Sequence, residues 1–169
     1  MTQSVRDLVA ETGYPGMKVL QFAFGSGSDN EYLPHNYTPN SVVYTGTHDN
    51  ETLMQYLECT EEHVRNHIRE YMNRPHASNE ELCENLIWMA MSSVGKYCMI
   101  PLQDYLGLGK EARMNYPSTL GHNWEWRVRK EQLTHDLAGY IAHMTGLSYR
   151  WRIDPPKEEE TNEKDTENK

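Results

Sequence analysis

Four polar or ionisable residues, 47–50, directly follow a short run of β-branched and aromatic residues that ends in glycine. The run, residues 42–44, has the composition of a buried strand, and the glycine, Gly46, lets a ligand or a neighbouring backbone come close because it has no Cβ. A carboxylate at the end of a strand, Asp49 beside His48, is well placed to hydrogen-bond the hydroxyl groups of a polar ligand. The alternative is that residues 47–50 only cap the helix that follows.

The elements around this stretch predict an α/β chain with a parallel sheet. Two other apolar runs have the length of strands, residues 17–24 and residues 97–102, and helical patterns precede, separate and follow them. Helices are expected over residues 5–11, from Thr60 to about Asn73, and from Ser78, where Glu81 completes a capping box. The order of strands and helices is typical of a sheet whose strands all run in one direction.

One more helix is predicted from about Arg129 towards the end of the chain. Its apolar spacing makes Leu133 and Leu137 buried positions and places Gly146 just past its last turn. Residues 134–136 repeat the Thr-His-Asp letters of the polar strand end, but they fall inside this helical pattern. We therefore interpret residues 134–136 as surface.

Polar groups follow each of the three predicted strands, and parallel α/β sheets bind ligands at the carboxyl ends of their strands. A polar loop with several glycines, residues 25–40, follows the first strand, and Gln103 with Asp104 follows the third. A further segment, residues 113–127, combines amides, guanidinium groups and two indoles. Such a mixture suits sugars, whose CH faces stack on rings while their hydroxyls are hydrogen-bonded. Ordinary core packing is the alternative for each tryptophan.

Composition and charge argue against several classes of protein. The formal net charge of -9, with 16 Lys and Arg scattered among 25 Asp and Glu, predicts no nucleic-acid partner. The 3 cysteines lack a CxxC pair, which fits neither a disulfide framework nor a zinc site and indicates a cytoplasmic location. No apolar run approaches the roughly 20 residues that span a bilayer, so no membrane partner is expected. His63 and His67 have a zinc-compatible spacing, yet without a third ligand a solvated helix face is expected.

Five segments carry a more specific signal when they are taken in order: MKVLQFAF, LPHNY, YTGTHDNET, PLQDYLGLG, and RMNYPST with NWEWR. Together they resemble the 4-α-glucanotransferases called amylomaltase or disproportionating enzyme, glycoside hydrolase family 77. The likeness covers roughly residues 1–152. It implies the C-terminal part of an elaborated (β/α)8 TIM barrel, incomplete in this chain, and it leaves residues 153–169 as an acidic tail that is expected to be disordered.

The resemblance also implies an activity, the transfer of α-1,4-glucan segments between maltooligosaccharides by a retaining double displacement, with no metal or organic cofactor. Asp49 resembles the carboxylate that stabilises the transition state, and His48 resembles its companion at the same glucose. Phe22 resembles an aromatic residue near the acceptor sugar. Asn123 and Trp124 are expected to lie near the path of the sugar chain.

The chain departs from the family pattern in length. A retaining mechanism needs a nucleophilic carboxylate and an acid/base carboxylate about 5 to 5.5 Å apart, and in this family both precede the strand expected at residues 17–24. We therefore expect the missing N-terminal part of the barrel as a partner, and we expect the chain alone to be inactive and to aggregate or be molten. Two alternatives stay open: a non-catalytic glucan-binding or interaction fragment, and a part of another retaining α-glucan hydrolase.

Overall fold

The computed structural model describes residues 2–150, and within them three strands form one parallel sheet. The strands are β1, Gly16–Val19; β2, Ser41–Tyr44; and β3, Tyr97–Met99. Strand β2 lies in the middle, and Val42 pairs with Met17 on one side and with Tyr97 on the other. The α/β class predicted from the sequence is confirmed, and the predicted acidic tail at residues 153–169 lies outside the described residues.

Six α-helices accompany the sheet within residues 2–150: α1, Gln3–Thr12; α2, Leu53–Cys59; α3, Glu62–Tyr71; α4, Asn79–Met91; α5, Leu102–Tyr105; and α6, His135–Leu147. The capping box predicted at Ser78 and Glu81 is present at the start of α4. Helix α1 ends at Gly13, whose φ of 67° is the left-handed conformation that glycine adopts without strain. None of the helices in the described part of the chain is long and apolar enough to cross a membrane.

The hydrophobic core lies between one face of the sheet and helices α2 to α4. Val43 of the central strand is fully buried there. The largest buried apolar side chains around it come from the loop after β1 and from the three helices: Leu20, Phe24, Leu33, Leu53, Leu57, Ile68, Leu82, Leu86 and Ile87. Each such side chain stabilises the fold by about 1.5–3 kcal/mol on burial, so this face of the sheet is well supported.

The opposite face of the sheet is open. Met17, Tyr97 and Met99 are 55%, 52% and 55% exposed, and together with Tyr44 they line a broad concavity of about 1400 Å³. Helix α1 buries none of its residues and α6 buries only Met144. Within residues 2–150, the apolar surface of this face and of the two flanking helices therefore lacks a covering layer.

The first strand is shorter than the sequence predicts. It ends at Val19, and a 3₁₀ turn over Leu20–Phe22 takes the place of the expected continuation to Phe24. Leu20, Ala23 and Phe24 are all buried in the same core. A strand points successive side chains to opposite faces, so only a turn can bury this set together.

The last helix begins later than predicted. Its first residue follows Thr134, whose hydroxyl accepts a hydrogen bond from Leu137 N at 3.1 Å, so the predicted start at Arg129 is wrong. Leu133 lies outside the helix and is 55% exposed instead of buried. Gly146 lies inside the last turn of α6 and does not follow its end. The threonine hydroxyl determines the start because it satisfies a backbone N–H that the helix itself leaves unpaired.

Candidate active site

The loop between β2 and α2 carries the predicted site, and its turn is closed by its own side chains. Asn50 Oδ1 accepts hydrogen bonds from the backbone N and the hydroxyl of Thr47, at 2.9 and 2.8 Å. Helix α2 is capped by Thr52, whose hydroxyl accepts from Gln55 N at 3.2 Å. Because Thr52 caps the helix, the interpretation of residues 47–50 as a helix cap is wrong.

The side chain of Asp49 is half exposed and is held at one of its two oxygens. Asp49 Oδ1 accepts a hydrogen bond from Asn115 Nδ2 at 2.7 Å and lies 3.4 Å from His48 Nε2. Among the contacts within residues 2–150, no hydrogen bond to Asp49 Oδ2 occurs. The carboxylate is thus oriented by its neighbours and presents one oxygen that can accept a hydrogen bond from a ligand hydroxyl.

Arg113 holds the backbone of the same loop from the side. Its Nη1 donates to Glu51 Oε1 at 2.7 Å and its Nη2 donates to the carbonyl oxygen of Asp49 at 2.9 Å. The guanidinium group also lies over the ring of Tyr116, 4.3 Å from its centroid. The Arg113 side chain is only 11% exposed, so its pair with Glu51 is screened less than a surface pair. Arg113 therefore limits the movement of residues 49–51.

A buried carboxylate lies beneath the loop. Asp104, which follows β3, is 3% exposed, and it accepts hydrogen bonds from Thr45 Oγ1 at 2.6 Å and from Leu53 N at 2.8 Å. Burial raises the pKa of Asp104 to about 6, and the two hydrogen bonds oppose this rise because they favour the charged form. Asp104 joins the end of β2 to the beginning of α2.

The glycine at the end of β2 allows a close contact with a side chain. A Cβ on Gly46 would lie 2.6 Å from Nε2 of Gln21, and that amide donates to the carbonyl oxygen of Glu51 at 2.9 Å. The group that comes close to Gly46 is thus a side chain, and not the ligand or neighbouring backbone that the sequence predicts. The contact ties the turn after β1 to the loop after β2.

Aromatic rings border the site. The His48 ring lies 5.0 Å from the Trp124 ring with an angle of 40° between their planes. Phe22 is half exposed and packs edge-on against Tyr32, with 5.5 Å between the ring centroids. Phe22 follows β1 and His48 follows β2, so both lie at the carboxyl edge of the sheet. The structure brings His48, Asp49 and Trp124 together and places Phe22 at the same edge.

Asn123 uses its amide to shape its own loop. Its Oδ1 accepts from Tyr116 N at 2.8 Å, and its Nδ2 donates to Thr119 Oγ1 at 3.1 Å. These bonds close the loop that carries Trp124 towards His48. A direct contact between Asn123 and a sugar stays a prediction.

A metal centre finds no support in the part of the chain that the structure describes. No group of three or more His, Cys, Asp or Glu side chains in residues 2–150 is arranged to hold a metal ion. His63 lies on the solvated helix face, as predicted, with its side chain 67% exposed. The same prediction is wrong for His67, because His67 is partly buried and its Nδ1 lies 2.9 Å from the carbonyl oxygen of Phe24.

Sequence reasoning missed the residues that hold Asp49 in place. Asn115 and Arg113 belong to a segment that the sequence marks as suited to sugars, but nothing local shows that they contact the loop after β2. The hydrogen-bonded partners Asn115 and Asp49 are 66 residues apart in the chain. The sequence marks Asp104 only as one of the polar residues that follow a predicted strand. Their role follows from the fold and not from a local pattern.

Comparison with known proteins gives consistent results. The family model described as 4-alpha-glucanotransferase matches residues 1–134. A 4-alpha-glucanotransferase of Clostridium butyricum is 42% identical over 148 residues, which are 87% of this chain and 30% of that protein. A chloroplastic/amyloplastic 4-alpha-glucanotransferase of Solanum tuberosum is 44% identical over 128 residues, which are 76% of this chain and 22% of that protein.

A solved structure is also similar. The amylomaltase from Streptococcus agalactiae in complex with acarbose superimposes with a TM-score of 0.83 at 32% sequence identity, over 90% of this chain and 30% of that chain. The chain thus spans between about a fifth and a third of the length of the relatives that it matches.

Proposed function

The chain belongs to the 4-alpha-glucanotransferase family, and we propose that it supplies the part of such an enzyme that binds the donor sugar through Asp49. The observation that carries this proposal is the orientation of the Asp49 carboxylate. Its Oδ1 is held by Asn115, whereas its half-exposed side chain presents Oδ2 at the carboxyl edge of the sheet. Ligands bind at this edge in parallel α/β folds.

The chemistry follows from what the sugar becomes during the reaction. In a retaining double displacement the sugar ring passes through an oxocarbenium-like transition state, and hydrogen bonds to its hydroxyls strengthen as positive charge develops. An oriented carboxylate that accepts such a bond stabilises the transition state more than the bound substrate, so it raises the rate. We assign this role to Asp49, with His48 as its companion at the same glucose.

Aromatic residues extend the proposed site along the glucan. Trp124, packed on His48, and Phe22, packed on Tyr32, present rings at the rim, where the CH face of a sugar can stack on them. We place Phe22 on the acceptor side and Trp124 near the sugar path, with Asn123 shaping its loop. The acarbose complex of the Streptococcus agalactiae amylomaltase supports a saccharide ligand, and α-1,4-glucans and maltooligosaccharides are the substrates that we propose.

The open sheet face supports the proposed architecture. Residues 1–152 would form the C-terminal part of a (β/α)8 barrel, in which the exposed side chains Met17, Tyr97 and Met99 would point to the interior. The missing N-terminal part would cover this face and supply the nucleophile and the general acid/base. The chain alone would then be inactive. The cytoplasmic location stays a prediction.

The proposal can be tested in a chimera. The matching segment of the Clostridium butyricum enzyme, 148 residues long, is replaced by this chain, and the product is incubated with maltotriose. Transfer yields glucose together with longer maltooligosaccharides, hydrolysis yields only shorter products, and a non-catalytic binding fragment leaves maltotriose unchanged. We expect transfer, and either of the other results would contradict the proposed activity.

The role of Asp49 is tested in the same chimera. Asp49→Ala is expected to lower kcat by about 10²–10³-fold, as for other groups that stabilise charge in a transition state. Asp136→Ala is the matched control, because Asp136 also follows a Thr-His pair but is exposed in the first turn of α6. It should leave kcat unchanged. Near-normal turnover of the Asp49 variant would refute the assignment.

A further inference from the structure

Asp104 is the only acidic or basic side chain that is buried within residues 2–150. The proposed reaction does not use it, since it lies beneath the surface on which Asp49 stands. Burying a carboxylate is unfavourable unless hydrogen bonds compensate for the lost water. The position of those hydrogen bonds therefore indicates what the buried charge does for the protein.

The two hydrogen bonds go to the two ends of one loop. Thr45 Oγ1 donates to Asp104 Oδ2 at 2.6 Å at the end of β2, and Leu53 N donates to Asp104 Oδ1 at 2.8 Å at the first residue of α2. Thr45 and Leu53 are both fully buried. A single carboxylate thus sets the distance between the points where the loop with His48 and Asp49 leaves and re-enters the fold.

A cleft beside the loop makes these anchors important. The cleft has a volume of about 140 Å³, is open to solvent, and is lined by Thr47, His48 and Asn50 from the loop and by Gln103, Asp104 and Arg113. Side chains that face a cleft have fewer packing neighbours than side chains inside a core. The path of the loop along this cleft therefore depends more on its anchored ends and on the contacts of Arg113 and Asn115.

We propose that Asp104 is a positioning residue for the sugar-binding carboxylate: by holding both ends of the loop, residues 45–53, it fixes the place at which Asp49 and His48 meet the substrate. The inference rests on the proposed role of Asp49. Asp104 itself does not touch substrate. It acts through the backbone of the loop, so its removal should alter the placement of Asp49 and leave the chemistry of that carboxylate unchanged.

Asp104→Asn is a conservative substitution that can keep both hydrogen bonds. In Asp104→Asn the amide oxygen can accept from Leu53 N, and the amide nitrogen can donate to Thr45 Oγ1, whose hydroxyl can rotate to accept. Both anchors are then kept. Asp104→Ala removes both anchors, and Thr45→Val removes one of them with little change in shape. We therefore expect the effects to increase in the order Asp104→Asn, Thr45→Val, Asp104→Ala.

Hydrogen exchange tests the anchoring without any need for turnover. In the chimera, Asp104→Ala should raise the exchange rate of the backbone amides in residues 45–53 by about tenfold or more, because the loop opens locally. Exchange in α3 should not change, and Asp104→Asn should behave as the unmodified chimera does. Unchanged exchange of residues 45–53 in the alanine variant would overturn the proposal.

A double-mutant cycle tests the link to Asp49. We expect Asp104→Ala to lower kcat by about tenfold on its own but by less than about twofold in a chimera that already carries Asp49→Ala, because a positioning residue has nothing left to position. Ser41→Ala is the control. Ser41 is a buried polar residue at the other end of β2, whose hydroxyl bonds Thr38 O, and its loss should leave kcat unchanged.

The outcomes separate this inference from the proposed function. Equal losses of kcat from Asp104→Ala in both backgrounds, or no rescue by Asp104→Asn, would overturn the positioning role while transfer by the unmodified chimera stands. An unmodified chimera without transferase activity would contradict the proposed function. In that case the exchange of residues 45–53 still decides whether Asp104 anchors the loop.

Discussion

The rim, which is the carboxyl edge of the sheet with the loops that follow the strands, differs from the open face of the sheet in its contacts. Side chains of the rim are hydrogen-bonded within the described residues, whereas side chains of the open face are left exposed. At the rim, Asp49, Glu51, Asp104 and Arg113 are joined by hydrogen bonds between segments that are distant in sequence. On the open face, large apolar side chains such as Met99 remain more than half exposed. Within residues 2–150, hydrogen bonds of this chain therefore organise the rim, whereas no layer covers the open face.

The difference reflects two kinds of stabilisation, hydrogen bonding and the burial of apolar surface. Directional hydrogen bonds can place a few side chains accurately with only local support. Burial of apolar surface needs a second layer, because it stabilises in proportion to the area removed from water. In the proposed barrel, the rim that we assign to sugar binding would thus be held largely by hydrogen bonds within this chain, whereas the open face would gain stability from the remaining part.

The largest effect is expected for a charge on the open face. Met99→Asp in the chimera should destabilise the protein by more than about 4 kcal/mol, because a methionine burial is lost and an unpaired carboxylate is buried. Urea unfolding of the chimera and of its Met99→Asp variant measures this loss of stability.

A matched surface change makes this comparison sharper. Glu70→Lys alters the charge of an exposed position on α3, on the side of the sheet that the core already covers, and it should shift the urea midpoint very little. Equal tolerance of Met99→Asp and Glu70→Lys in the chimera would mean that the open face stays uncovered. The proposed barrel closure would then be wrong.

The next effect concerns the buried carboxylate of the rim and its dependence on pH. Because the pKa of Asp104 rises from 3.8 to about 6 on folding, the protonated form is favoured in the folded state. The contribution of protonated Asp104 to the free energy of unfolding is fully present below about pH 4. It is lost as the pH rises through about 6, which lowers the free energy of unfolding by about 3 kcal/mol. Asp104→Asn should remove this dependence.

The measurement is the difference in urea midpoint between the unmodified chimera and its Asp104→Asn variant, from about pH 4 to about pH 7. The unmodified protein should gain stability relative to the variant as the pH falls. Glu62 and Glu80 have lowered pKa values and favour the opposite trend, but both proteins share them and their effect cancels. A constant difference across this range would show that Asp104 does not titrate there.

The smallest effect is expected for the strained loop of the rim. Ser118 has a φ of 65°, a conformation that costs a non-glycine residue about 1 kcal/mol or more. Ser118→Gly should therefore raise the thermal midpoint by a few degrees at most and leave transfer unchanged. Ser92→Gly is the control, because Ser92 has a φ of −84° and gains nothing from glycine. A loss of stability at position 118 would contradict the assigned strain.

Much of the fold could be predicted because its signals are local. The capping box at Ser78 depends on residues a few positions apart, and the structure confirms it. The strand predicted over residues 17–24 is longer than the observed one, because an apolar run fits a strand and a buried turn equally well. The direction of the chain after Val19 is decided by the core into which Leu20 and Phe24 pack, and this core is formed by distant segments.

The candidate site was predicted only in part. His48 and Asp49 stand out because they follow a strand and belong to a specific ordered set of segments. Their supports, Asp104, Arg113 and Asn115, lie more than 50 residues further along the chain, so no spacing rule connects them to the loop. For Asn123 the sequence predicts a place near the sugar path, but it does not reveal that the amide is hydrogen-bonded within its own loop.

The contact between Gly46 and Gln21 has a consequence for engineering. A side chain added at position 46 must displace the Gln21 amide and its hydrogen bond to the carbonyl oxygen of Glu51, so the effects of substitutions at positions 21 and 46 are expected to be coupled. A library that randomises position 46 alone should be enriched in glycine among its active clones. Diversifying residues 21 and 46 as a pair should recover a wider range of residues at position 46.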